Sequence, residues 1–288
     1  MDNDVSTVTS KANREGRQRR RIIGGAVAAA VVVAAVVVGG TLQHSKAGTS
    51  GALGGVGCPT IDPTTHHLST PLIPGVDWSS CNLSGGNLSD LSMNLSKADL
   101  SGGNLVGMTL SGANLTGSNL SGANLLGATL TGADFTGATL TGVKSGQVVG
   151  TATLPAGWII ANGYLVGPGA DLTGANLTGA NLNFSVLTGA DLTGATLTGV
   201  QSGAVTGGSP SPMLPAKWML LTGYLIGPGA NLTNANLMHK NLTGADLTGA
   251  TMNGAMMTWV TYSNTICPDA TNSSAQTPET CAGHGGGL

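Results

Sequence analysis

The chain has 288 residues, of which 47 are glycine, 8% are charged and 3% are aromatic. So few aromatic and charged side chains exclude a pair of ordinary globular domains, which need a mixed core and a charged surface. Residues 1–57 carry a net charge of +4 and the remaining residues a net −6, so the basic part is a short leader and not a nucleic-acid-binding domain.

The first predicted element is an apolar helix over residues 22–42, which follows a basic cytoplasmic leader over residues 1–21. Such a helix would be roughly 31 Å long, about the thickness of a bilayer core. An arginine cluster precedes the segment and no comparable cluster follows it, so the positive-inside rule predicts that residue 43 onward lies outside. The predicted anchor residues include Ile22, Val31, Val38 and Leu42, and the arginines are Arg17, Arg19, Arg20 and Arg21.

A cleaved signal peptide is the alternative interpretation of this segment. The apolar region of a signal peptide is normally about 7–15 residues long, shorter than the one found here. The tripeptide Ser45-Lys46-Ala47 nevertheless offers a small-residue cleavage site. The chain is therefore expected at the cell membrane, single-pass with its repeats outside, or secreted after cleavage.

All four cysteines follow the apolar segment, as expected of an exported chain. Four cysteines allow three connectivities. The local pairs Cys58–Cys81 and Cys267–Cys281 close the shortest loops and would flank the repeats, while free thiols remain an alternative. No Cys-x-x-Cys motif occurs, which disfavours a zinc site.

Residues 43–80 are predicted to form a linker rich in Gly, Pro and Thr. The segment contains the only paired histidines, His66-His67, with Asp62 and Asp77 nearby. These side chains could recruit a metal ion. We expect instead that they are solvated in a flexible segment, and no metal site is predicted.

The central feature is an apolar residue at every fifth position between residues 83 and 257, with 21 leucines at 24 such positions. Five residues turn an α-helix by about 500°, so successive leucines would walk round its axis. In a flat strand, an odd spacing would place them on alternate faces. One shared interior therefore requires a backbone that bends once per repeat, in coils that stack and satisfy each other's hydrogen bonds. The predicted core residues include Leu100, Leu105, Leu110, Leu115, Leu120, Leu125, Leu130, Phe135, Leu140, Leu172, Leu177, Leu182, Leu187, Leu192, Leu197, Leu232, Leu237, Leu242 and Leu247.

The positions around each leucine repeat as well: a small residue two before, Asn, Asp or Thr one before, Ser or Thr one after, and usually Gly two after. The motif stands as Ala113-Asn114-Leu115-Thr116-Gly117 and again as Ala245-Asp246-Leu247-Thr248-Gly249. It resembles the signature of the pentapeptide-repeat family. The resemblance implies an all-β fold, a right-handed quadrilateral β-helix with four repeats per coil over residues 81–262, preceded here by one transmembrane or signal helix.

Two interruptions, at residues 143–169 and 200–229, break the period of five. Their tryptophans, Trp158 and Trp218, are 60 residues apart, which indicates a longer repeat above the pentapeptide one. Asn162-Gly163 between apolar runs favours a hairpin turn, so each interruption is predicted as a hairpin or irregular coil in or against the stack. These modules and the cysteine-containing tail, residues 263–288, resemble those of exported actinobacterial pentapeptide-repeat proteins.

No group of residues suited to catalysis stands out, so we expect a non-enzymatic protein without a cofactor. Serines and threonines are abundant, but no Gly-x-Ser-x-Gly elbow occurs with a partnered histidine and acid. Asp171 and Asp191 are 20 residues apart and would stack on one face, and we interpret them as a tolerated surface pair. His239 replaces a glycine in the outward column and is expected to be solvated.

The predicted function is that of a scaffold or interaction protein outside the cytoplasmic membrane, tethered by its N-terminal helix. Its partner would be an unknown protein or envelope component, a homodimer is possible, and no nucleic-acid partner is expected. One alternative is a flat Thr/Asn surface that binds a ligand or ice, with columns such as Thr116, Thr136 and Thr173. Another is a DNA-mimicking, topoisomerase-interacting protein, as in some members of the family, which weak acidity and predicted export disfavour.

Overall fold

A computed structural model describes residues 36–38, 41–43, 57–69, 73–89, 94–275 and 280–284. It divides the chain into two compact units, residues 1–49 and residues 50–288. The regular elements are short. They are β1 (Val36–Val38), β2 (Thr41–Gln43), β3 (Ile159–Ala161), β4 (Tyr164–Val166), β5 (Met219–Leu221), β6 (Tyr224–Ile226) and a 3₁₀ helix (Ser273–Ala275).

The N-terminal unit contains the antiparallel pair β1–β2, in which Val37 lies opposite Leu42. These strands stand where the sequence predicts the end of an apolar helix. A valine run followed by Gly39-Gly40 combines high β-propensity with a hairpin-turn dipeptide, which explains the pairing. The rest of the predicted helix and the arginine cluster lie outside the described residues. In the part of the chain that the structure describes, no helix has the length and apolar character needed to cross a bilayer.

The second unit is a β-helix-type solenoid in which four repeats make one coil. Residues 20 positions apart form parallel bridges, such as Asn114 with Asp134 and Asn119 with Thr139. Twenty residues are four pentapeptides, so each coil lies directly above the preceding one. Between the first coils the spacing is 22, as for Asp77 with Asp99, because two extra residues separate the leucines there.

Backbone hydrogen bonds tie neighbouring coils to each other. Leu120 donates its N–H to the carbonyl of Thr139 at 2.8 Å, and Asn119 donates to the carbonyl of Ala98 at 2.9 Å. The leucine side chains fill the interior. Every predicted core residue from Leu100 to Leu247 is at most 2% exposed, and each contributes about 1.5–3 kcal/mol by burial.

The outward columns of the repeat build its corners. The N–H and the hydroxyl of Thr116 both donate to Oδ1 of Asn114, at 3.0 and 2.7 Å. This side-chain turn explains why Asn or Asp precedes many of the inward leucines and Ser or Thr follows most of them. The glycine that comes next has a left-handed backbone, with φ of 68° at Gly122, a conformation that glycine adopts without steric cost.

Four faces run along the solenoid, and they can be numbered by the outward residue of one coil. Faces 1 to 4 carry Asn114, Asn119, Asn124 and Thr129. The chain of bridges from Asn124 through Lys144 and Asp171 to Asp191 follows face 3. A second chain of bridges, from Asn181 through Gln201 and Asn231 to Thr251, follows face 1, so Met256, one repeat later, lies on face 2.

The two interruptions form β-hairpins that cross the interior of the stack and divide its core into three clusters. In β3–β4, Ile160 and Leu165 face each other and pack on the first cluster, whereas Ala161 and Val166 pack on the second. In β5–β6, Leu225 belongs to the second cluster and Ile226 to the third. Because strand side chains alternate between two faces, each hairpin covers one core below it and another above it. We call these hairpins the septa.

The solenoid extends beyond its predicted bounds at both ends. Val76 and Trp78 are fully buried in the first cluster, so the coils begin before the predicted boundary at residue 81. Asp77 occupies the outward position and Trp78 the inward one, which shows that the repeat frame continues there without leucine. At the other end, Ile266 still bridges Asp246, four residues past the predicted end.

Each end of the solenoid carries a disulfide-linked segment. Ile61 pairs antiparallel with Leu68, and His67 bridges Asn87 of the first coil. The first segment is joined through Cys58–Cys81 and the C-terminal one through Cys267–Cys281. Much of the predicted linker is therefore part of the folded unit, because its apolar residues cover the open end of the stack.

Candidate functional site

Three side chains that carry rings occupy the left-handed corner position that the repeat normally gives to glycine. Phe184, His239 and Trp259 have φ of 61°, 58° and 61°. A left-handed backbone costs a non-glycine residue roughly 1–2 kcal/mol. Phe184 and Trp259 are also 80% and 73% exposed, so no burial offsets this cost. Strained, exposed aromatic residues of this kind point to a surface kept for binding.

Two of these residues lie together near the C-terminal end of the solenoid. His239 and Trp259 are 20 residues apart on the corner between faces 2 and 3, and their rings stack with centroids 6.3 Å apart and planes 12° apart. Met256 on face 2 is 46% exposed and bridges Asn236 of the coil below. Half-buried Met238 follows two residues after Asn236 in that coil. Met238, His239, Met256 and Trp259 form the surface that we call the Met/Trp corner.

The chemistry of the Met/Trp corner suits contact with another apolar surface. Methionine side chains adapt to irregular partners, and tryptophan is enriched among residues that dominate binding energy. No carboxylate lies among its four members. The corner can therefore bury apolar area without desolvating an acid.

The septa repeat one another in detail. The indole of Trp158 covers Gly167, where an added Cβ would come within 2.2 Å of the ring, and Trp218 covers Gly227 in the same way at 2.3 Å. The hydroxyl of Tyr164 accepts a hydrogen bond from the backbone of Asn176 at 3.0 Å. Tyr224 makes the equivalent bond with the backbone of Asn236 at 3.1 Å.

The turns of the septa emerge on opposite sides of the solenoid. Gly163 accepts a hydrogen bond from Val148 beside face 4, at 3.0 Å, and Gly223 accepts one from Val205 beside face 2, at 3.1 Å. The longer repeat, which separates Trp158 from Trp218 by 60 residues, thus spans two and a half coils. The second septum is therefore rotated by half a turn relative to the first.

Two of the outward carboxylates lie beside a lysine. Asp171 lies 3.4 Å from Lys144, and Asp246 lies 3.0 Å from Lys217. Burial raises the pKa of Asp246, but hydrogen bonds from Thr248 and Lys217 outweigh it and leave that pKa below its ordinary value. Burial likewise opposes hydrogen bonds from Thr173 and Lys144 at Asp171, and the net pKa is lowered. Such carboxylates do not share a proton as an acid–base pair does.

The other candidate residues are dispersed. Asp171 and Asp191 form a parallel bridge on face 3, as their spacing predicts. His67 lies in the N-terminal segment that covers the first coil, and Asp62 accepts hydrogen bonds from the backbone of Thr64 and Thr65. Across the described ranges, no three His, Cys, Asp or Glu side chains converge as metal ligands would.

Sequence reasoning identified His239 as a break in the glycine column but missed Phe184 and Trp259. The same signal marks all three, because each places a bulky residue where the repeat has glycine. Of the predicted membrane residues, Val38 and Leu42 lie in β1 and β2, whereas Ile22, Val31 and the arginines lie outside the described residues.

The family model for pentapeptide repeats matches the chain with eight copies, over residues 93–125, 109–144, 169–201 and 229–261. The match covers the period-five positions from Leu95 to Leu140, from Leu172 to Leu197 and from Leu232 to Met257, and it leaves out both septa. The repeat array of this chain therefore belongs to the pentapeptide-repeat family. No curated protein matches the sequence.

Solved structures of pentapeptide-repeat proteins show distant similarity. HetL from Nostoc sp. strain PCC 7120, involved in the regulation of heterocyst differentiation, is 24% identical over 69% of this chain and 90% of its own, with a TM-score of 0.32. A protein of the Arabidopsis thaliana thylakoid lumen is 28% identical over 44% and 68%, with a TM-score of 0.25. QnrB1, a plasmid-mediated fluoroquinolone resistance protein, is 19% identical over 65% and 80%, with a TM-score of 0.19. At these TM-scores, none of them informs the function of this chain.

Proposed function

We propose that this protein is a non-enzymatic scaffold, a right-handed pentapeptide-repeat rod displayed outside the cytoplasmic membrane that binds a protein partner through its Met/Trp corner. The supporting observation is the exposed Trp259, held at a positive φ beside His239 where the repeat would place glycine. The repeat itself needs no aromatic residue there. A side chain that costs stability and packs on little else is explained by an external contact.

Placement outside the membrane rests on the sequence and on the disulfides. The apolar segment at residues 22–42 follows an arginine cluster, and all four cysteines are paired as Cys58–Cys81 and Cys267–Cys281. Disulfides persist in oxidising compartments. A C-terminal reporter fusion tests this part, because activity of a reporter that works only outside the cytoplasm supports export and a cytosolic signal contradicts it.

The binding role is tested by comparing two variants that each restore glycine. Wild type, Trp259→Gly and Phe184→Gly are used as baits against envelope fractions, and a captured protein is then purified and titrated against all three. Losing a central tryptophan typically costs at least about 2 kcal/mol, or roughly 30-fold in Kd. We expect that loss for Trp259→Gly and near-normal affinity for Phe184→Gly. Equal affinity of Trp259→Gly and wild type would contradict the assignment.

The alternative of a flat threonine surface that binds ice or another ligand is less well supported. The hydroxyls of Thr116 and Thr136 donate to Asn114 and Asp134 at 2.7 and 2.6 Å. Their protons are therefore committed to the corners of the rod and are not free to order water or a ligand. Thermal hysteresis of the purified rod would revive this alternative.

A further inference from the structure

Only two Asn-Gly dipeptides occur in the sequence, Asn162-Gly163 and Asn253-Gly254, and the fold places them in different environments. Asn162 forms the turn of the first septum. Its side-chain amide donates to the carbonyl of Thr178 at 2.7 Å, which ties the amide to the coil above. Asn253 follows inward Met252 in the last coil, at the position that the repeat usually gives to Ser or Thr.

The side chain of Asn253 is exposed, and no hydrogen bond holds it within the described part of the chain. Its position differs from that of most outward asparagines, which stand one residue before the leucine. In those repeats the side-chain oxygen accepts hydrogen bonds from the corner, as Asn114 does from Thr116. The amide carbon of Asn253 is thus accessible to attack, and no hydrogen bond among the described residues has to break first.

The backbone N–H of Gly254 lies in the last coil and donates no hydrogen bond to a described coil above it. In lower coils, this corner N–H donates to the coil above, as Gly122 does to Thr141 at 2.9 Å and Asn234 to Asn253 at 2.9 Å. Among the described residues, no carbonyl above Gly254 accepts the equivalent bond. Glycine adds no side chain that would hinder the approach of its nitrogen to the asparagine.

We infer that Asn253 is a site of spontaneous deamidation, whereas Asn162 is protected. The Gly254 nitrogen loses its proton to water or hydroxide and attacks Cγ of Asn253, forming a C–N bond. The bond from Cγ to Nδ2 breaks and ammonia leaves, giving a succinimide. Water then opens the ring at either carbonyl, producing aspartate or isoaspartate without any oxidant or reductant.

The product changes the last coil in two ways. Either outcome adds a negative charge beside face 2, three residues before Met256 in the sequence. Isoaspartate also lengthens the backbone between residues 253 and 254 by one methylene, which disturbs the carbonyl of Asn253 that accepts from Asn234. The fraction of chains that carry this added charge near the Met/Trp corner therefore increases with time.

Peptide mapping by mass spectrometry tests the inference on the full chain, incubated at mildly alkaline pH in native buffer and in denaturant. Freeing the Asn162 amide costs about one hydrogen bond, so we expect Asn253 to convert roughly tenfold faster than Asn162 in native buffer. In denaturant the two rates should become similar. Equal native rates, or faster conversion at Asn162, would overturn the inference.

A matched variant separates this chemistry from general instability. Asn253→Ser places the usual residue of the repeat at this position, so the fold should be kept. We expect the variant to lose the fast deamidation phase while the melting temperature and the slow rate at Asn162 stay unchanged. A fast phase that persists in Asn253→Ser would assign the reactive residue elsewhere and refute the proposal.

Discussion

Leu120→Ala tests how rigidly the repeat holds its interior. Leu120 is fully buried in the longest leucine run. Its backbone donates to Thr139 above, and the neighbouring Asn119 donates to Ala98 below, so the coil cannot collapse onto a cavity. Leucine-to-alanine changes in cores cost about 2–5 kcal/mol, less where the site can relax. A coil bonded on both sides places this change in the upper part of that range, at about 3–5 kcal/mol.

Thermal melting and hydrogen exchange measure the effect. For a unit of this size, that loss lowers the melting temperature by roughly 6–20 °C. Because the septa separate the three core clusters, amides around the first cluster should lose more protection than those around the third. The control is Thr131→Ser at an exposed corner, expected to change the free energy of unfolding by less than about 0.5 kcal/mol. Equal shifts for the two variants would refute the assigned interior.

Three further changes test other parts of the molecule. Trp259→Gly should be more stable than Trp259→Ala by about 1 kcal/mol in denaturant unfolding, because only glycine relieves the positive φ; the reverse order would show that φ carries no strain. Gly167→Ala should destabilise the chain by at least about 1–3 kcal/mol, because its Cβ would meet the indole of Trp158 at 2.2 Å, and unchanged melting would contradict that contact. The hydroxyl and backbone of Thr271, with His284, lower the pKa of Asp269 from 3.8 to about 2. At a pH above 3.8 the ionised carboxylate therefore stabilises the tail, and this stabilisation is lost as the pH falls towards 2. Cleavage of the tail by an acid protease should rise over that pH range in wild type but not in Asp269→Asn.

The coil follows from the sequence because one side chain must return to a dry interior after every bend. A period of five has no other simple solution, and the Asn-to-Thr turn at Asn114 and Thr116 fixes the corners. The septa do not follow in the same way. Ile159-Ile160-Ala161 presents alternate residues to two different cores, so the strand is apolar on both faces and its pattern does not reveal where it lies.

The candidate site was only half visible in the sequence. Breaks in the glycine column at residues 184, 239 and 259 are readable as strained corners. Exposure of Trp259 and its stacking on His239 depend on which repeats share a corner, and that depends on how many coils each septum consumes. In an unbroken array, residues 20 positions apart would be known to share a corner. The two septa break that count, so the position of the Met/Trp corner relative to the other faces could not be predicted.

The most direct test of the solenoid is a pair of cysteines on one face. Thr129 and Val149 form a parallel bridge on face 4, and bridged strands lie about 4.8 Å apart, within the range of a disulfide. Thr129→Cys with Val149→Cys should therefore cross-link under mild oxidation. Thr129→Cys with Lys144→Cys, on neighbouring faces, should stay reduced. Cross-linking of the second pair and not the first would contradict a coil that closes after four repeats.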